Sequence, residues 1–131
     1  MPRDADVPDA KAEESSLQLL VSNLSLAQRE QFAQHRYFEV VGNKSGARYR
    51  IRYGQMLNVE RLDANGVSVL ALCFAPRGRL PVGDIMLAQK IALELFESDA
   101  IRVACVSRPS NHAQELRRLG HRLRPYWPTM Y

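Results

Sequence analysis

A chain of 131 residues, 46% apolar and 24% charged, supports one hydrophobic core and excludes both a wholly disordered chain and a membrane-spanning protein, since its apolar runs, Val69 to Ala75 among them, are far too short to cross a bilayer. The formal net charge of +4 is a gradient: residues 1–14 sum to −3, residues 15–100 to +2, and residues 101–131, with six arginines against Glu115 alone, to +5. No apolar h-region follows Met1, so no secretory leader is expected and a cytoplasmic location is; in that reducing setting Cys73 and Cys105 are expected as thiols.

Residues 1–15 carry two prolines and five acids with almost no large apolar side chain, and read as a flexible acidic arm. From Ser16 the pattern changes: Leu17, Leu20, Val21 and Leu24 recur at helical spacing. Ser25 followed by Gln28 is a capping box, opening a short helix over Leu26 to Gln34 with Leu26, Arg29 and Phe32 roughly in line. Tyr37 to Val41 is β-rich and ends in the turn cluster Gly42-Asn43-Lys44-Ser45-Gly46. Ala47 to Tyr53 alternates strictly, with Arg48, Arg50 and Arg52 on one face and Tyr49, Ile51 and Tyr53 on the other. Met56 to Leu62 is a third strand, Asn65-Gly66 the favoured pair for a tight hairpin turn, and Val67 to Ala75 a fourth strand, apolar on both faces and expected to be the most buried. Asp84 then caps a long helix whose apolar positions include Leu87, Ile91 and Leu95, with Gln89, Glu94 and Glu97 on the wetter side and Cys105 at its far end. Ser110 or Asn111 opens a last, basic helix with Leu116, Leu119 and Leu123 on one face, and Tyr126 and Trp127 lie in an aromatic tail after Pro125.

Together these elements predict an α+β fold: a four-stranded antiparallel β-meander covered by a long α-helix, with additional terminal helices. The division is 1–15 acidic arm, 16–106 α+β domain, 107–131 basic helix and aromatic tail.

Chemistry is sparse. Cys73 falls in an apolar strand, where a thiol is a small hydrophobe rather than an activated nucleophile. His112 and His121 are nine residues apart, not the three or four that align two metal ligands on one helix face, and Gly42 to Gly46 lacks the Gly-Lys-Ser/Thr order of a phosphate-cradling loop. No pair of acids stands out as general acid and base. The expectation is therefore no enzyme, no catalytic residue, no metal, no cofactor and no small-molecule substrate.

Two basic patches remain. Arg48, Arg50 and Arg52 stand about 6.8 Å apart along a strand, near the spacing of successive phosphates, with Tyr37, Tyr49 and Tyr53 close enough in sequence to stack bases. Against that, Glu39 and Glu60 lie within cross-strand reach of the arginines, and the tyrosines alternate toward the core. Arg117, Arg118, Arg122 and Arg124 have almost no acid beside them and rank first as polyanion contacts; Tyr126 and Trp127 suit docking into a partner's groove.

Two resemblances accompany this reading. The stretch Leu24 to Phe32 followed by Tyr37-Phe38-Glu39-Val40 resembles the helix-to-strand entry of phytanoyl-type dioxygenases, but their iron needs His-x-Asp, which does not occur here. The string Arg48-Tyr49-Arg50-Ile51-Arg52 … Asn58-Val59 … Leu62-Asp63 … Leu80-Pro81 … Gly83-Asp84-Ile85-Met86-Leu87-Ala88-Gln89-Lys90 resembles small uncharacterised bacterial proteins that share it. Its order of strands, loop and helix is similar to the SWIM-type zinc finger, a nucleic-acid and protein interaction module. Cys73 matches one ligand of that family, but Ala71, Ala75 and Val82-Gly83-Asp84 replace the others, so the resemblance implies a metal-free relative.

The functional expectation is a non-enzymatic binding module that contacts nucleic acid or an acidic protein through arginine-rich surface. The alternative is a structural or assembly protein of a phage or mobile element that docks through its termini, a homo-oligomer being compatible with it. No membrane partner is expected.

Overall fold

In a computed structural model the described residues are 9–54, 56–74 and 79–107, the last three by their backbone alone. Within them the chain runs α1 (Ala10–Ser22), α2 (Leu26–His35), β1 (Tyr37–Val41), β2 (Arg48–Arg52), β3 (Val59–Leu62), β4 (Ser68–Cys73), α3 (Val82–Val103) and β5 (Cys105–Ser107). The fold is α+β. Strands β1 to β4 form the antiparallel meander in sequence order, and β5 adds antiparallel to β4 as a fifth strand.

Local chemistry explains the start of the first two helices. Asp9 caps α1 by accepting from the Ala12 N–H at 2.7 Å, so the helix begins inside the stretch expected to be a flexible arm. At α2 the Ser25–Gln28 capping box forms with both hydrogen bonds present. At α3 the expected cap is not the one used. Pro81 occupies the cap position without a side-chain bond, Asp84 sits in the first turn, and the Val82 N–H donates to Glu13 of α1 at 3.1 Å. A carboxylate from another helix thus satisfies an orphan N–H at the positive end of the helix dipole.

One face of the sheet carries the core. Phe38 and Val40 from β1, Tyr49 and Ile51 from β2, Val59 from β3 and Leu72 from β4 are buried against Met86, Ala92 and Leu93 of α3, with Leu20, Leu24 and Phe32 closing the layer from α1 and α2. Each such side chain, fully removed from water, contributes roughly 1.5–3 kcal/mol. Helix α1 lies on α3 with Gly83 against the Ser16 backbone, an approach with no space for a Cβ.

Four expectations need correction. Helix α3 turns a different face to the sheet: Ile91 is 43% exposed and Leu95 59%, whereas Met86, Gln89, Leu93 and Glu97 are buried. The polar pair reaches inward because the sheet offers it partners, described below. In β4 only Ala71, Leu72 and Cys73 are buried; Val69 is exposed. Leu26 of α2 is exposed as well, and Gln28 and Phe32 take the inner face. Last, α3 ends at Val103, so Cys105 lies on a strand, opposite Cys73 in the β4–β5 ladder.

Candidate functional site

The alternation of β1 and β2 puts Tyr37, Glu39, Arg48, Arg50 and Arg52 on the sheet face away from the helices. The register sets Glu39 opposite Arg50 and Tyr37 opposite Arg52, and on β3 it sets Glu60 opposite Arg50. Glu39 bridges two arginines, at 3.1 Å to Arg48 and 3.3 Å to Arg50, while Arg52 binds Glu60 at 2.8 Å. The row of three guanidiniums therefore faces two carboxylates. A phosphate approaching it must displace a carboxylate or share a cation, although such part-exposed pairs are individually worth at most about 1 kcal/mol.

The aromatic half of the site is also engaged. The Tyr37 ring stacks on His35 with centroids 5.1 Å apart and planes 14° from parallel, and the guanidiniums of Arg50 and Arg52 lie over it at 4.5 and 5.2 Å. A base stacking on Tyr37 has to replace one of these neighbours. Tyr49 is in the core and unavailable to any ligand. Tyr53 is exposed rather than buried, with the Arg36 guanidinium 4.8 Å from its ring. Of the three tyrosines, only Tyr49 follows the alternation into the core.

Beneath this surface lies a constellation that sequence reasoning missed. The β1–β2 turn is inserted into the kink of α3, where Phe96 leaves helical geometry (φ −138°, ψ 42°). Asn43 bridges the break: its N–H donates to Leu93 O (3.2 Å), its amide nitrogen to Leu95 O (3.0 Å), and its amide oxygen accepts from Glu97 N (3.0 Å). The buried Glu97 carboxylate then accepts from the N–H groups of Lys44 and Ser45 (both 2.8 Å), the Ser45 hydroxyl (2.5 Å) and the Tyr49 hydroxyl (2.6 Å). Burial pushes the Glu97 carboxyl upward, but the donors from Ser45, Tyr49 and Lys44 outweigh it and bring it down to about 2. Burial, reinforced by Glu97, pushes Tyr49 up to about 12. Four donors on one carboxylate hold a turn in place; they leave no oxygen for a substrate proton.

A second buried polar pair pins the opposite end of the sheet. Asn58 and Gln89 exchange amide hydrogen bonds at 2.8 and 3.0 Å, and each donates once more, Asn58 to Arg52 O and Gln89 to Phe74 O. In the sequence both look like solvent-facing residues. The one available signal was that Gln89 and Glu97 interrupt the apolar stripe two helical turns apart, on a single line.

Arg117, Arg118, Arg122, Arg124, Tyr126 and Trp127 lie outside the described residues. Among the described residues no group of three or more His, Cys, Asp or Glu is placed to hold a metal ion, and no helix is long and apolar enough to cross a membrane. Comparison of the chain with protein-family models, with curated proteins and with solved structures returns no match.

Proposed function

We propose that the chain is a non-enzymatic binding module for nucleic acid, contacted principally by Arg117, Arg118, Arg122 and Arg124, with the Arg48–Arg50–Arg52 face as a secondary surface. One observation supports this ranking: the sheet arginines already have Glu39 and Glu60 as partners. The charge distribution agrees. Residues 1–107 sum to zero, and the whole excess of +4 belongs to residues 108–131, five arginines against Glu115. Arginines without carboxylate partners release counterions when they meet phosphate, whereas paired ones must first give up an ion pair.

The test compares three full-length proteins on a labelled DNA single strand by fluorescence anisotropy at about 50 mM salt. Substituting the four C-terminal arginines with glutamine should abolish binding, and the Arg48, Arg50 and Arg52 triple substitution should weaken it only modestly. Absence of binding by the wild-type chain refutes the reading. Displacement of the strand by a polyglutamate peptide at equal charge concentration turns it toward an acidic protein partner.

A second reading, an assembly protein, draws on Ile91, Leu95 and Phe96, three large apolar side chains exposed on the outer side of α3. Concentration-dependent sedimentation that stops on Leu95→Glu would favour it.

A further inference from the structure

Between α1 and α2 lies an open groove of about 630 Å³ that the polyanion reading does not use. Phe32, buried, forms its floor, with Leu17, Val21 and Ala33 beside it; Arg29 and Arg36 line it from α2 and Glu14 from α1. Residue spacing creates the walls: 14, 17 and 21 form one stripe of α1, and 29 and 33 one stripe of α2, which Arg36 extends from the left-handed C-cap position just past the helix (φ +60°). The groove is preformed. The capping box fixes the start of α2, Gln28 ties that helix to Glu39 O of β1 at 2.9 Å, and Leu20, Leu24 and Phe32 anchor both helices in the core.

Two features distinguish it from a bare apolar cleft. Its volume falls in the range of small-molecule sites, roughly 300–1,000 Å³. Its two cations are also held in position without a carboxylate. Arg29 Nε donates to Val21 O at 3.1 Å, which leaves the remaining guanidinium nitrogens to a ligand. The Arg36 guanidinium rests 4.9 Å from the Phe32 ring and 4.8 Å from the Tyr53 ring. Among the described residues neither arginine forms an ion pair. Glu14 on the facing wall gives the groove a polarity, repelling an anionic head from α1 and directing it to α2.

We propose that this groove binds a small monocarboxylate with an apolar body, its tail on Leu17, Val21, Phe32 and Ala33 and its carboxylate on Arg29 and Arg36. The inference is independent of nucleic-acid binding.

The experiment titrates the full chain with decanoate and, as the uncharged counterpart, decanol, by calorimetry and by amide chemical shifts. Decanoate should bind saturably at one site and at least tenfold more tightly than decanol, because a charge-assisted hydrogen bond is worth about a factor of ten or more. Arg29→Gln should remove roughly that tenfold preference. Ala33→Trp, which fills the groove from an exposed position, should abolish binding without lowering the melting temperature. Equal affinity for decanoate and decanol, or no saturable binding of either, overturns the proposal. So does a dimer that dissociates on Ala33→Trp while the wild type ignores decanoate, since the groove is then an interface between two copies.

Discussion

The Tyr49 hydroxyl donates to the Glu97 carboxylate at 2.6 Å, joining the middle of the second strand to the kink of the long helix inside the core. That bond closes a ring of contacts in which the β1–β2 turn, the helix break and the sheet hold one another. Glu97→Ala leaves the Lys44 and Ser45 N–H groups and two hydroxyls without their acceptor, and should cost about 3 kcal/mol by denaturant titration. Tyr49→Phe keeps the ring and should cost about 1 kcal/mol. Gly42→Ala should behave like a weaker Glu97 variant, because a Cβ there collides with the Glu97 carboxyl.

The same pair sets a two-sided pH dependence. Glu97 is depressed to about 2 from an ordinary 4.5, so its contribution is complete above 4.5 and is lost as pH falls through about 2. The difference in unfolding free energy between the wild type and Glu97→Gln should therefore shrink by about 3 kcal/mol over that acid window. Tyr49 is raised from 10.0 to about 12, so its contribution is complete below 10 and is lost as pH rises through about 12. Tyr49→Phe should lack the alkaline loss. Parallel curves for wild type and variant at either end would contradict the assignment.

On α3, burial separates residues two positions apart. Leu93 is fully buried and Ile91 is 43% exposed. Leu93→Ala should cost roughly 2–5 kcal/mol and Ile91→Ala less than about 1 kcal/mol, read from melting or urea midpoints.

Asn58 and Gln89 form a closed amide pair, so their removal should be strongly non-additive. Each single alanine substitution strands a buried partner and should cost about 2 kcal/mol; the double variant should fall short of the sum by about 1 kcal/mol. Simple additivity would mean the amides do not depend on one another.

Where each residue's own neighbours determine its environment, the sequence was readable. Ser25 and Gln28 are three apart and cap α2 as their spacing requires. The β3–β4 hairpin turns at Asp63 to Gly66, where Asn65-Gly66 places it, although Gly66 alone takes a positive φ (+82°) and the turn is not the type I′ that this pair favours; the alternation from Arg48 to Arg52 sets the arginine row opposite Glu39 and Glu60. The face of α3 was not readable. Gln89 and Glu97 are polar, and partners distant in sequence, Asn58 and Phe74 for the one and Asn43, Lys44, Ser45 and Tyr49 for the other, make their burial favourable. Two other departures have the same origin. The start of α1 at Ala10 accompanies a contact from Glu13 to α3, and β5 is a three-residue strand whose pairing with β4 overrides the apolar run that otherwise continues the helix. The sheet half of the basic surface was legible down to its neutralising acids; the stacking of His35 and two arginines on Tyr37 was not, because it needs the strand register.

The proposed function assigns the polyanion contact to residues 108–131, which carry the whole net charge of +4. The salt dependence of binding to single-stranded DNA tests it most directly, since each phosphate neutralised contributes about −0.7 to the slope of log K against log salt. Contacts from Arg117, Arg118, Arg122 and Arg124 predict a slope of about −3 for the wild type, little changed in the Arg48, Arg50 and Arg52 triple variant and flattened to about −1 or beyond detection when those four are glutamine. A slope that collapses in the sheet variant and survives in the C-terminal one contradicts the account.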